Sequence, residues 1–169
     1  GLWDRHVHWD QWAAALTRID LAGATSADDV VARLSRILPT WPDDGGAAFG
    51  FGHRSALWPR PATVAELDAV SGGRPVVLIS GDAHNGWLNS RALELLGLPP
   101  RTGVLEEKEW FDILPRLHEL AGPGADSQEE AFRDAARKGV VGVVDMEFGG
   151  PFLAWPERIA AGERRLKVR

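Results

Sequence analysis

The sequence predicts an α/β fold of parallel strands joined by helices, on three observations. Strand-like and helix-like segments alternate along its 169 residues, the pattern of βαβ units. Residues 75–80 and 140–146 are almost continuously apolar, as expected of strands covered on both faces. Residues 2–8 read as a short strand that runs directly into a helix and ends on two histidines, His6 and His8.

Each element has its own warrant. A short helix over residues 9–16 follows the first strand. Ser26 caps a second helix, with Asp28 and Asp29 in its first turn and Val30, Val31, Leu34, Ile37 and Leu38 at helical spacing. Pro39 and Pro42 end it. Residues 47–52 form a glycine-rich strand. Thr63 and Glu66 make a capping box, with Leu67 and Val70 as the apolar face of a brief helix. After the 75–80 strand, residues 89–96 are helical and stop at Gly97. A longer helix over 106–120 is expected to kink or split at Pro115. Ser127 and Glu130 form another capping box, and that helix ends near Gly139. The 140–146 strand follows, then a helix over 152–161 and the start of a strand at 165–168.

Composition narrows the function classes. Net charge is −5, so nucleic acid and anionic membrane surfaces are not expected partners. There is no cysteine, which excludes disulfides and thiolate metal sites and fits a reducing, cytoplasmic setting. No apolar run approaches the roughly 20 residues needed to span a bilayer. No phosphate-cradling glycine loop follows a strand, since Gly50-Phe51-Gly52 leads into His53 and Arg54 without the rest of such a motif. Eight tryptophans stand against no tyrosine. Core packing is the ordinary use of tryptophan, with Trp87 set aside as a possible pocket wall.

His6 and His8 are two residues apart, so on a strand they project from one face and can share a metal ion. Imidazole suits zinc, and also iron, nickel and copper. The carboxyl end of a parallel strand is where α/β barrels carry their chemistry.

Gly1-Leu2-Trp3-Asp4-Arg5-His6-Val7-His8 resembles the first-strand metal motif of the amidohydrolase superfamily. Further segments match in order: Trp58-Pro59-Arg60-Pro61-Ala62-Thr63, Arg74-Pro75-Val76-Val77-Leu78, Gly81-Asp82-Ala83-His84 and Trp87-Leu88-Asn89-Ser90-Arg91-Ala92-Leu93. Thr102-Gly103-Val104-Leu105-Glu106-Glu107 and Gly139-Val140-Val141-Gly142-Val143-Val144-Asp145 complete the set. Over nearly the whole chain it is similar to the amidohydrolase 3 family, which includes N-substituted formamide deformylases.

The resemblance implies part of a (β/α)8 barrel, its first half, with a small inserted α+β subdomain. Residues 1–42 would hold the first strand and helices, 43–107 the insertion, and 108–169 the barrel to about its fourth strand. It implies a metal-dependent hydrolase acting on a carbon–nitrogen bond of a small amide-type substrate, with one or two divalent ions, zinc first. Its bridging carboxylated lysine or equivalent acidic group, later histidines and catalytic aspartate would fall after Arg169, and Lys167 does not sit in the lysine motif. A full barrel typically needs about 250 residues. The chain is therefore expected to be a fragment, cut at both ends and inactive alone. The remaining half of its own barrel, or a homo-oligomer partner, would complete it. The alternative is a non-catalytic binding or assembly module that keeps the family fold.

His6 and His8 are thus the expected metal ligands. Asp4, on the same strand face, is expected behind the ligands or as a strand anchor, because metal-bound imidazoles commonly donate their other N–H to a carboxylate. Arg5 replaces the small residue of the family motif and points the other way. Asp145, at the end of a buried strand, has the same supporting role or caps the next segment. His84, Trp87, Asn89 and Glu107 match family positions and are candidates for a substrate pocket. For His84 and Asn89 a turn-and-cap role is the alternative, and for Glu107 a favourable first-turn charge. His53 and His118 read as peripheral.

Overall fold

The computed structural model describes residues 1–43, 45–121, 127–147 and 151–169. In chain order it places β1 (Leu2–Val7), α1 (Trp9–Leu16), β2 (Ile19–Asp20), α2 (Ala27–Ile37), β3 (Ala48–His53), α3 (Val64–Ser71), β4 (Val76–Ser80) and β5 (Asn85–Leu88). Then come α4 (Ser90–Leu95), β6 (Leu105–Glu106), α5 (Glu107–Ile113), α6 (Ser127–Arg137), β7 (Val140–Asp145), α7 (Pro151–Ala160) and β8 (Lys167–Val168). The elements fall into two units, Gly1–Thr17 with Asp126–Arg169, and Arg18–Ala125.

In the first unit the sheet order is β1-β7-β8 and both pairings are parallel. Its core is aromatic. Trp9, at the start of α1, is fully buried, with Phe132 of α6 and Trp155 of α7 at 4.9 and 5.4 Å between ring centroids. Its indole N–H donates to Gln128 Oε1 at 2.6 Å, which satisfies the polar handle that a buried tryptophan carries. β1 itself is exposed from Leu2 to His6, although parallel strands are ordinarily covered on both faces. Trp3 lies across the neighbouring strand at Gly142, where a Cβ would come within 2.5 Å of the ring.

In the second unit the order is β2-β3-β4-β5-β6. The first three strands are parallel, whereas β5 and β6 run antiparallel. β4 is buried at every position, and its side chains divide between two cores. Val76 and Leu78 join Leu34, Leu67 and Trp87, while Val77 and Ile79 join Leu93, Trp110 and Ile113. Helices on both faces leave the strand no solvent side, which is why its sequence does not alternate. The caps are as expected: Ser26 Oγ accepts from Asp29 N at 3.1 Å, and Thr63 N–H donates to the Glu66 carboxylate at 2.7 Å. Pro115 splits the predicted long helix into α5 and a 3₁₀ helix over Leu114–Leu120.

The units divide at 17/18 and 125/126. β2 pairs with β3, and α2 buries Val30 and Leu34 in the same core as Leu67. At the other end α5 and its extension bury Trp110, Ile113 and Leu117. Both flanks therefore belong with the five-stranded sheet. Between β4 and α4 the chain reverses after Ser80 and returns as β5, antiparallel to β4. The turn is knitted by short polar side chains. Ser80 Oγ donates to Asp82 Oδ1 at 2.6 Å and accepts from Asn85 N at 3.1 Å, and Asp82 Oδ1 also accepts from His84 N at 3.1 Å.

Candidate functional site

The first unit presents the imidazole pair at the carboxyl end of β1. His6 is exposed and His8 half-buried, with ring centroids 5.5 Å apart and planes at 57°. A metal–nitrogen bond of about 2.1 Å sets each ring centroid a little over 3 Å from a shared ion, so two such rings lie no more than about 6.5 Å apart. The observed separation meets that limit. Two imidazoles, borderline-soft neutral donors, fit zinc or a neighbouring transition ion. Among the described residues no three His, Asp or Glu side chains gather to hold an ion, and the pair offers two candidate donors.

Two carboxylates hold the backbone around the pair. Asp4 Oδ1 accepts from the backbone N–H of His6 at 3.0 Å, within the stretch where the β1–β7 register slips between Asp4 and Val7. Asp4 therefore anchors the strand. Asp145 is buried. Its Oδ1 accepts from Trp9 N at 3.2 Å and Glu147 N at 3.0 Å, and its Oδ2 accepts from the Trp155 indole at 2.7 Å. Trp9 N is one of the amide groups that the start of α1 cannot satisfy internally. Asp145 thus fixes the strand-to-helix junction at which His8 sits, and its oxygens are taken by these donors.

In the second unit the structure brings together two of the four pocket candidates. His84 Nδ1 lies 3.3 and 3.4 Å from the two carboxylate oxygens of Glu107, both side chains being exposed. Phe111 sits edge-on to the imidazole at 5.3 Å. The backbone on both sides is left-handed: Ala83 has φ +61° and Glu107 φ +46°. Such a conformation in residues other than glycine costs of order 1–3 kcal/mol and gathers at functional positions. Glu107 N–H donates to His84 O at 3.0 Å, which locks the pair across the β5–β6 edge. The turn's other carboxylate, Asp82, is held below the usual range, chiefly by the Ser80 hydroxyl and then by the His84 N–H.

Trp87 and Asn89 are not on that surface. Trp87 is fully buried and donates from Nε1 to Thr63 O at 2.8 Å. Asn89 is buried too. Its Oδ1 accepts from Val76 N and Ala92 N, both at 3.0 Å, and its Nδ2 donates to Arg74 O at 2.8 Å. It caps α4 and joins that helix to β4, which is the turn-and-cap alternative in physical form. His118 is exposed, with Nδ1 2.7 Å from Pro115 O. His53 departs from its peripheral reading, for it is wholly buried at the end of β3. Its sequence surroundings, Gly52 and Arg54, carry no apolar period that signals burial.

The profile of the amidohydrolase family matches residues 1–166, and the chain belongs to that family. Its structure is similar to that of an uncharacterized metal-dependent hydrolase from Pyrococcus horikoshii OT3, at 26% identity and a TM-score of 0.75, covering 98% of this chain and 35% of that one. An uncharacterized metal-dependent hydrolase from Pyrococcus furiosus matches at 26% identity and a TM-score of 0.67, over 98% of this chain and 36% of that one. The chain thus spans about a third of the length of these relatives. No curated protein matches it. The fold is accordingly of the expected class, α/β, part of a metal-dependent hydrolase barrel.

Proposed function

We propose that this chain is the first part of an amidohydrolase that cleaves a carbon–nitrogen bond of a small amide or formamide-like substrate, with His6 and His8 as two ligands to a divalent ion, zinc first. The observation that carries this is the imidazole pair at the carboxyl end of a parallel strand, in a chain of this family. When bound, the ion supplies a water acidified toward neutrality and an electrophile for the substrate carbonyl. The chain's own residues hold and orient. Asp4 and Asp145 fix the backbone on either side of the pair. His84 and Glu107 offer an imidazole and a carboxylate on an exposed edge, suited to hydrogen-bond the polar part of a substrate.

Two imidazoles leave a four-coordinate ion half-ligated, so the isolated chain is expected to be inactive. The exposed β1 supports a sheet that continues in the complete protein, whether from its own later strands or from a partner copy. In this reading the unit of β1, β7 and β8 is barrel and the five-stranded unit is the insertion. No helix among the described residues is long and apolar enough to cross a membrane. With no cysteine in the chain, we place the protein in the cytoplasm.

Metal analysis of the full-length protein tests the pair. His6→Ala or His8→Ala should remove most bound metal, exceeding the about 10–100-fold affinity loss typical when a supporting partner of a ligand is removed. Unchanged metal stoichiometry in the double variant returns the chain to the non-catalytic alternative.

The pocket residues should separate by phenotype. His84→Ala and Glu107→Gln should each lower kcat/KM by about twofold to tenfold, the loss of one hydrogen bond of about 0.5–1.5 kcal/mol, at unchanged Tm. Asn89→Ala should lower Tm and leave kcat/KM of the folded enzyme intact. Normal kinetics in both edge variants would remove His84 and Glu107 from the site.

A further inference from the structure

His53 is the buried titratable group that the proposed chemistry leaves unused. It closes β3 at 0% exposure, with the Trp58 ring 5.3 Å away between centroids. Its Nε2 lies 3.5 Å from Leu78 O, and its Nδ1 has no hydrogen-bond partner among the described residues. The same residue is tied by its backbone to the turn that carries His84. His53 O accepts from Gly81 N at 2.8 Å. The two segments touch beside that bond, since a Cβ on Gly81 would stand 3.2 Å from Gly52 O. Gly52 itself is left-handed, at φ +108°. From Gly81 the turn passes through Asp82 to His84, whose carbonyl holds Glu107 N.

We propose that His53 is a positioning residue for the turn at 81–84: its neutral ring seals the carboxyl edge of β3 and β4, and charging it loosens the turn and separates His84 from Glu107. The functional meaning rests on the reading of those two residues as pocket residues, whereas the coupling of His53 to the turn is independent of it.

A charged imidazole here would have one long acceptor among the described residues, Leu78 O. Trp58 and Leu78, packed around it, carry no charge. Asp82 in the turn is the charged side chain acting on the ring, and Arg54, next in the chain, is exposed. Burial outweighs the opposing effects of Leu78 O and Asp82 and pushes the imidazole below its ordinary 6.5. The open turn takes up a proton near that ordinary value, the closed turn only at lower pH. The closed form is therefore fully favoured above it and progressively disfavoured as pH falls beneath it. Water reaches the ring when the Gly52–Gly81 contact parts.

Hydrogen exchange read by NMR between about pH 8 and pH 5 tests this, after correction for intrinsic exchange. Protection of the Gly81, His84 and Glu107 amides should fall by up to about tenfold per pH unit on the acid side. Amides inside α2 should keep theirs. His53→Phe should abolish the response, and His84→Gln should preserve it. The opposite pattern overturns the proposal. Titration of the His53 ring resonance needs no variant, and a midpoint at or above 6.5 overturns the proposal even if His53→Phe fails to fold. A turn that opens with acid in the wild type and in His84→Gln, beside a kcat/KM indifferent to His84→Ala, would keep the coupling and discard the pocket reading.

Discussion

Asp145→Ala should cost the unit of β1, β7 and β8 about 3–5 kcal/mol, the loss expected when one side of a buried, multiply bonded carboxylate is removed. The three donors it serves are the Trp9 and Glu147 amides and the Trp155 indole. Trp9 and Trp155 are buried, so no water replaces the missing oxygens without opening the aromatic core. A buried donor left unpaired costs about 1–3 kcal/mol. The carboxylate also sits at the amino end of α1, where negative charge is favourable. Asp145→Asn keeps one acceptor oxygen but turns an N–H₂ toward the other donors, and should fall between wild type and alanine. Denaturant unfolding, with local exchange of the Trp9 and Trp155 N–H groups, measures both. Stability within about 0.5 kcal/mol of wild type, the range of an ordinary surface substitution, would show that these bonds do not hold the junction.

Gly86→Ala should destabilise the five-stranded unit by about 3 kcal/mol, the upper end of the usual overpacking range. A Cβ at this β5 position would lie 2.2, 2.4 and 2.7 Å from three atoms of the Trp110 ring. Trp110 has no room to yield. It is fully buried in the core that contains Val77 and Leu93, and its indole donates to Ala83 O at 2.9 Å. Relief requires moving α5, whose first residue is Glu107, so the same substitution should part Glu107 from His84. Trp110→Phe removes ring atoms on the contact side and should recover part of the loss in the double variant, a non-additivity expected of touching residues. Equal urea midpoints for wild type and Gly86→Ala would contradict this packing.

Much of this molecule is legible in short stretches of sequence. The capping residues Ser26, Thr63 and Glu66, the stop at Gly97 and the break at Pro115 act within one helical turn, and each does in the structure what its residue type dictates. β4 and β7 announce themselves as apolar runs. The placing of His6 and His8 on one strand end follows from two-residue spacing alone, and the order of motifs marks the family. β2 and β6, of two residues each, are too short to show a period, and nothing local to residues 81–89 states the direction of the strand within them.

The tertiary structure decided the rest. It reversed the chain after Ser80, so that Trp87 and Asn89 turned into the core while His84 met Glu107 across the edge. It buried His53 beside the turn and committed Asp145 to donors on two helices. The physical reason is range. Propensity, capping and periodicity are settled by groups within about four residues of one another. Strand direction and the burial of a polar side chain are settled by partners far along the chain, such as Val76 for Asn89 and Trp9 for Asp145, whose identity is set only once the sheet has formed.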